Sequence, residues 1–439
     1  MPITYIDSAA ASSGDGSERS PKKYWDSSVD VSDGAVVLLK RGAVIELVNT
    51  VQPPGAITVR DYGDPAAAAP VLQWTPDRGI ESKCTDSSKT VSFENVHFIG
   101  NGVGALFQAV HGARLRVVNC VGENAMTGVR YAASDSVVEG NILRKVTTGI
   151  YVGRNDLPKP SRGWISGNQV FATGDAVTLH DGVGLGVGNV IYGNTLIGGA
   201  PTNNENAVDV LRGWPQTVIA FNHLACNGRQ AAIVTSAGSD GCLIYGNKIA
   251  GAGTGMALNI RSSNNSIYGN IVHERRSSNT ATCLYIGPDS TGNGVATRNA
   301  ILNNTFVASA DTQCHAIKVA VGTSGHFYNN IVINRSSCAS LEIPAGALAA
   351  WMVDHNAWWT PSGAMPFIAG GHPWSFAQWY ESGRDRSGTA SVDPLLDVLM
   401  RLPDRSPLAA AGFDWADKRQ TDAWGQAFGR PPSIGAVQG

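Results

Sequence analysis

Short alternations of apolar and polar residues recur along the chain, and they never settle into the three- and four-residue spacing of an amphipathic helix. One phrase, VVEGNIL at 137–143, returns as WISGNQV at 164–170, VIYGNTL at 190–196, VIAFNHL at 218–224, LIYGNKI at 243–249 and SIYGNIV at 266–272, then as ILNNTFV and FYNNIVI. Its Asn marks the period: Asn141, Asn168, Asn194, Asn222, Asn247, Asn270, Asn304, Asn330 and Asn356, in steps of 23 to 28 residues with one longer step. Fainter copies surround Asn95 and Asn119.

About halfway between markers lies a second phrase: TGVRYA at 127, TGIYVG at 148, GDAVTLHDG at 174, ENAVDVLRG at 205, QAAIVTS at 230, TGMALNI at 254, ATCLYIG at 281 and HAIKVAV at 315. Two or three short strands per repeat, with no helix between them, predict one solenoid turn per repeat, stacked at about 4.8 Å on the next. An Asn at the same bend of each turn can bond the amide and backbone of its neighbour, and Asn tolerates the left-handed backbone that bends need. The fold expected is all-β, a single-stranded parallel β-helix. Its open ends need covers, because exposed strand edges invite pairing with other chains. Residues 1–60 are expected to form an N-terminal cap and the first coils, 61–357 the β-helix, and 358–439, where the period is lost, an irregular closing segment.

Composition narrows this picture. The chain has 439 residues with 51 Gly, a β- and turn-rich bias. A net charge of -2 argues against a nucleic-acid partner and leaves any polyanion site to local Arg or Lys. No run of apolar residues is long enough to span a membrane, and MPITYIDSAAASSGDGSERSPKKYW lacks the pattern of an export signal. Seven Cys make no disulfide scaffold. Cys314 and Cys338 nevertheless fall at matching places on adjacent coils, within disulfide reach.

The opening YIDSAAASSGDGSERSPKKY with GAVVLLKRG, and the closing SVDPLLD, LPDRSPLAAAG and WGQAFGRPPSIGAV, resemble the start and finish of bacterial and phage β-helix proteins of the pectate-lyase superfamily. The likeness runs over the whole chain. It implies a right-handed helix, a polysaccharide partner and an extracellular or virion-associated location, with a trimer as the assembly if the chain is a phage spike. The superfamily includes lyases, hydrolases, epimerases and tailspikes, so the likeness leaves the reaction open. The DPHD motif associated with alginate epimerases is missing.

Candidate chemistry concentrates on the second phrase. With Val129, Ile150, Val177, Val208, Met256, Leu284 and Ile317 pointing in, the outward row reads Arg130, Tyr151, Thr178, Asp209, Ala257, Tyr285 and Lys318. His180 falls two positions on, and Arg154, Asp181 and Arg212 follow it on three coils. Asp175, His180, Asp181, Glu205, Asp209 and Arg212 are therefore expected in one patch, bordered by Arg130, Tyr151 and Arg154. A uronate lyase would neutralise the sugar carboxylate with Arg130, Arg154 or Arg212, or with calcium on Asp175, Asp181 and Glu205. His180 would be the base and Tyr151 an acid, with Asp209 and Arg212 beside them and Thr178 on the substrate. A glycosidase would pair Asp181 with Asp209 or Glu205. A non-catalytic spike would use the same face only to bind. The order of expectation is lyase, hydrolase, binder.

Other signals have plainer readings. NNS at Asn264 and NNT at Asn303 belong with the Asn bends, His355 in VDHN is structural, HERR at 273–276 is a solvated turn, and GVGLGVG at 182–188 lacks the helix of a phosphate loop.

Overall fold

In the computed structural model, the described residues are 2–47, 49–74, 79–180, 182–251, 255–274, 282–288, 295–309, 315–361, 367–390, 392–414, 421–429 and 431–437. The chain folds as a right-handed parallel β-helix, and its contacts divide it into two compact units. The first comprises Met1–Val190 with Asn194–Leu196, and the second Ile191–Gly193 with Ile197–Gly439. Helix is confined, among the described residues, to Ala345–Leu348 and Phe376–Glu381.

In the first unit, Ile3–Ile6 pairs in parallel with Ala35–Lys40, which pairs with Ile57–Tyr62, then Thr90–Glu94, Arg114–Val118, Val137–Glu139 and Trp164–Ser166. A second wall runs through Ala105–Ala109, Val121–Tyr131, Ile142–Val152 and Val177–Leu179. Alternate residues fill the tube: Val129, Ile150 and Val177 are fully buried in one register column. Phe93, Phe98 and Phe107 meet edge-on or tilted, with centroids 4.4 to 5.6 Å apart, and thicken the core near the N-terminal coils.

The second unit repeats the plan. Val208–Val210, Ala231–Thr235, Met256–Ile260, Thr282–Ile286, Ile317–Val319, Leu341–Ile343 and Phe367–Ala369 pair in order. The register corrects one expectation. Met256 pairs with Ala231 and Thr282, while the inward column runs Val208, Ile233, Leu258, Leu284, Ile317. The outward column is consequently Asp209, Val234, Asn259, Tyr285, Lys318 and Glu342, with Asn259 where Ala257 was expected.

The Asn markers form ladders. In the first unit Asn141 donates from Nδ2 to Asn168 Oδ1 at 2.9 Å and to Val117 O at 2.9 Å, and Asn168 repeats this on Asn194 and Val138. In the second, Asn222, Asn247, Asn270, Asn304, Asn330 and Asn356 continue it. The left-handed backbone falls on the residue before each marker: Gly140, Gly167, Gly193, Gly246 and Gly269, or Phe221, Asn303, Asn329 and His355. Asn95 and Asn119, with φ of 55° and 53°, occupy that preceding place. The ladder position beside them holds Val96 and Cys120, and Cys120 N donates to Asn141 Oδ1 at 2.8 Å. The two faint copies are thus bend residues and not rungs.

Asp385 closes the second ladder. Its buried Oδ1 accepts from Asn356 N at 2.9 Å, and its Oδ2 accepts from the Trp358 indole. The last segment packs back on the coils: Phe413 N donates to Asn329 Oδ1 at 2.7 Å, and Ala436 N to Thr305 Oγ1 at 3.0 Å. Leu402, Leu408 and Ile434 cover the apolar outer residues Val307 and Ile333. The Cys314–Cys338 pairing depends on Cys314, which lies outside the described residues.

Candidate functional site

Strand register in the first unit places Glu81, Gln108, Arg130, Tyr151 and Thr178 in one outward column on five successive coils. The Arg130 guanidinium lies over the Tyr151 ring, 4.8 Å from its centre, and the Tyr151 hydroxyl is 2.9 Å from His180 Nδ1. The two rings are 5.3 Å apart and tilted by 34°. These contacts follow from coil stacking, since neighbours in a column sit one strand spacing apart and side chains on one face meet. Arg130, Tyr151 and His180 are all half-buried. The Nε of Arg130 is buried with no hydrogen-bond partner.

Thr178 departs from the expectation. It is 2 % exposed, and its Oγ1 is buried without a partner, so it packs under the column instead of meeting substrate from solvent. Arg154 turns toward the N-terminal coils, donating to Val110 O at 2.9 Å and His111 Nδ1 at 3.0 Å and pairing with Asp156 at 2.6 Å. There it reaches a group that the sequence reading missed. Glu81, 2 % exposed, accepts from Gln108 Nε2 at 3.0 Å and pairs with Lys83 at 3.1 Å. His111 Nε2 lies 3.4 Å from the same carboxylate. Lys83 Nζ lies equally near, 3.4 Å from His111 Nε2. The phrases IESK at 80–83 and FQAVH at 107–111 carried this signal, but their coils lack the Asn rung that would have set their register.

Asp175 is half-buried in the first unit, and Asp181 lies outside the described residues. Glu205, Asp209 and Arg212 belong to the second unit. Asp209 is half-buried, with Oδ1 buried and unpartnered. Burial pushes its carboxyl up to about 7; nearby Arg261 opposes the shift and the Glu205 carboxylate adds to it. Arg212 is exposed on the bend after Val208–Val210. Among the described residues, no three His, Cys, Asp or Glu side chains converge as a metal site would require.

Farther along the second unit, Glu342 Oε2 pairs with both Lys318 and His315 at 3.0 Å. Burial keeps the His315 ring below its ordinary value, and Glu342 pulls the other way.

Residues 69–253 are similar to one described family. It is the family of the periplasmic copper-binding protein NosD. No curated protein matches the chain. Among solved structures, the chain is similar to the catalytic unit of a thermostable α-1,3-glucanase from Streptomyces thermodiastaticus. That match has 14% identity and a TM-score of 0.49 and covers 79% of this chain and 65% of the glucanase, so the chain spans less than two thirds of that relative's length. It is also similar to a pectate lyase, at 14% identity and a TM-score of 0.44 over 100% of this chain and 96% of that one. A third match is a mannuronic acid specific family 6 polysaccharide lyase from human gut microbiota, at 12% identity and a TM-score of 0.47, covering 81% and 90%. Among the described residues, no helix is long and apolar enough to cross a membrane.

Proposed function

We propose that the protein is a polysaccharide-active enzyme that cleaves a uronate-containing chain by β-elimination on the outward column of the first unit. The observation that carries this reading is the contact series Arg130, Tyr151, His180. An elimination needs a cation to neutralise the sugar carboxylate, a base for the acidified C–H and an acid for the leaving oxygen. Arg130 supplies the first through the guanidinium that lies over the Tyr151 ring. In the tautomer whose Nδ1–H donates to the Tyr151 oxygen, His180 Nε2 is the base and the Tyr151 O–H the acid. The proton gained by His180 then returns through the 2.9 Å contact to the Tyr151 oxygen, restoring both groups.

A second reading rests on Asp209, whose carboxyl stays protonated up to about 7 beside Glu205, as a glycosidase acid would. One experiment separates the two. Purified protein is incubated with a panel of acidic and neutral polysaccharides, with and without a calcium chelator, while ultraviolet absorbance of unsaturated uronate and new reducing ends are followed together. Both signals rising is the expected result. Reducing ends alone would replace the lyase by the hydrolase, and neither signal across capsular, O-antigen and plant polymers would reduce the protein to a binder.

A further inference from the structure

The closing segment of the second unit does more than cover the coils. Between it and the outer face lies a cleft of about 410 Å³, within the range of small-molecule sites. Its floor is the register column Val307, Ile333, Trp359, and its far wall includes Leu396 and Met400. Two arginines, Arg335 and Arg405, stand on its rim, and both are exposed.

The charges in the cleft are unevenly satisfied. Asp393 accepts from Leu395 N at 2.8 Å. Asp397 accepts from Leu399 N at 2.8 Å and Arg401 N at 2.9 Å, and it pairs with Arg401 Nε at 2.8 Å. Asp397 is thereby occupied in shaping the segment, whereas Asp393 spends one oxygen on it and keeps its charge. Among the described residues, neither Arg335 nor Arg405 has a carboxylate partner or a side-chain hydrogen bond, and Arg335 only overhangs the Trp359 ring at 6.0 Å. What remains is an apolar floor, an indole, one Asp393 carboxylate and two uncommitted guanidinium groups, a balance that favours an anion.

We infer that this cleft is a second carbohydrate subsite, one that binds a uronate residue of an oligosaccharide. A uronate pyranose has an apolar C–H side, which packs on the partly exposed Trp359, and one carboxylate, which a guanidinium takes with two parallel N–H bonds. A neutral sugar would leave both arginines without an anion. The second guanidinium can donate to the ring hydroxyls of the uronate, which a long-chain fatty acid lacks. The identity of the ligand rests on the reading of the first unit as a uronate-polymer enzyme; the cleft itself does not.

The test is isothermal titration of the full chain with oligogalacturonate, oligomannuronate, a neutral glucan oligomer of equal length and a medium-chain fatty acid. Four proteins are compared: the wild type, Arg335→Gln, Arg405→Gln, and Arg130→Gln as the control for the first unit. One acidic oligosaccharide should bind the wild type and Arg130→Gln in a common class that weakens about tenfold or more in each cleft variant, the scale of a lost charge-assisted contact. Melting temperatures within the small range of surface substitutions would exclude misfolding as the cause. The proposal is overturned if neither acidic oligosaccharide binds, if the cleft variants bind it as the wild type does, or if the neutral glucan or the fatty acid binds in its place. Products from the polysaccharide panel with an isotherm indifferent to Arg335 and Arg405 would sink the cleft alone. A cleft-dependent isotherm with no product from any polymer would sink the proposed reaction alone.

Discussion

At Tyr151, one oxygen separates a structural role from a chemical one. The ring stacks under Arg130 and beside the His180 ring, and the hydroxyl lies 2.9 Å from His180 Nδ1, so Tyr151→Phe keeps the ring contacts and removes the hydroxyl one. Losing one half-buried hydrogen bond should cost about 1 kcal/mol of stability. Turnover should fall by roughly 10²- to 10⁴-fold, the range for a lost acid or base, and His180→Ala should fall as far. Initial rates of unsaturated-uronate release, measured beside thermal melts, check this. Near-wild-type rates in both variants would remove the pair from the mechanism and move attention to Asp209. Alternation in the sequence was enough to turn Arg130, Tyr151 and Asp209 outward. It said nothing of Thr178, which lies on the same face but is covered, because cover comes from residues distant in the chain.

At the scale of elements, the Asn ladder holds the bends. Asn247 donates to Ile219 O at 2.8 Å and to Asn270 Oδ1 at 3.0 Å, and it accepts from Asn222 N and Nδ2 at 3.0 Å. Removing it orphans buried groups on both neighbouring coils, where no water replaces the lost partner. Asn247→Ala should therefore destabilise the fold by about 3 kcal/mol or more, since each orphaned group costs roughly 1–3 kcal/mol. Lys248→Ala, at the half-buried next position, serves as comparison and should cost well under that. Equal shifts in denaturant midpoint for the two variants would show that the ladder contributes no special stability. The rungs were legible because one residue type recurs at one bend. The register of Met256–Ile260 was not: Met256 and Leu258 are both apolar with the same parity, and only pairing with Ile233 and Leu284 selects Leu258.

For the whole molecule, two carboxyls set a pH dependence. Burial pushes Asp209 and Asp385 each up to about 7, above the value near 4 of an unfolded chain. Between those limits the folded protein holds protons that the unfolded chain has released. Their contribution is complete below about pH 4 and is lost as pH rises through 7. The melting temperature should accordingly fall from pH 5 to pH 8. Asp209→Asn should flatten the slope and melt higher than the wild type at pH 8, because a neutral amide avoids burying a charge whose Oδ1 has no partner. A wild-type melting curve that rises over this interval, or an unchanged slope in the variant, would contradict the assignment.

The sequence by itself determined the architecture. Period-two alternation, the absence of helical spacing and a recurrent Asn are local properties repeated coil after coil, and a solenoid is the structure in which every copy satisfies them together. The same parity placed Arg130 beside Tyr151 and turned both outward. Tertiary structure alone decided which side chains met. Coils differ in length, so residues on one face are brought together only when pairing fixes the register. That is why the Glu81, Gln108 and His111 group emerged only with the fold, on coils whose bends carry Pro70 and Val96 in place of the Asn rung. It also decided burial, which holds the Asp209 proton near neutral pH and lays the closing segment over Val307 and Ile333 to form the arginine-rimmed cleft. Burial depends on what lies across a coil boundary or returns from the end of the chain, and no residue records that in its own neighbourhood.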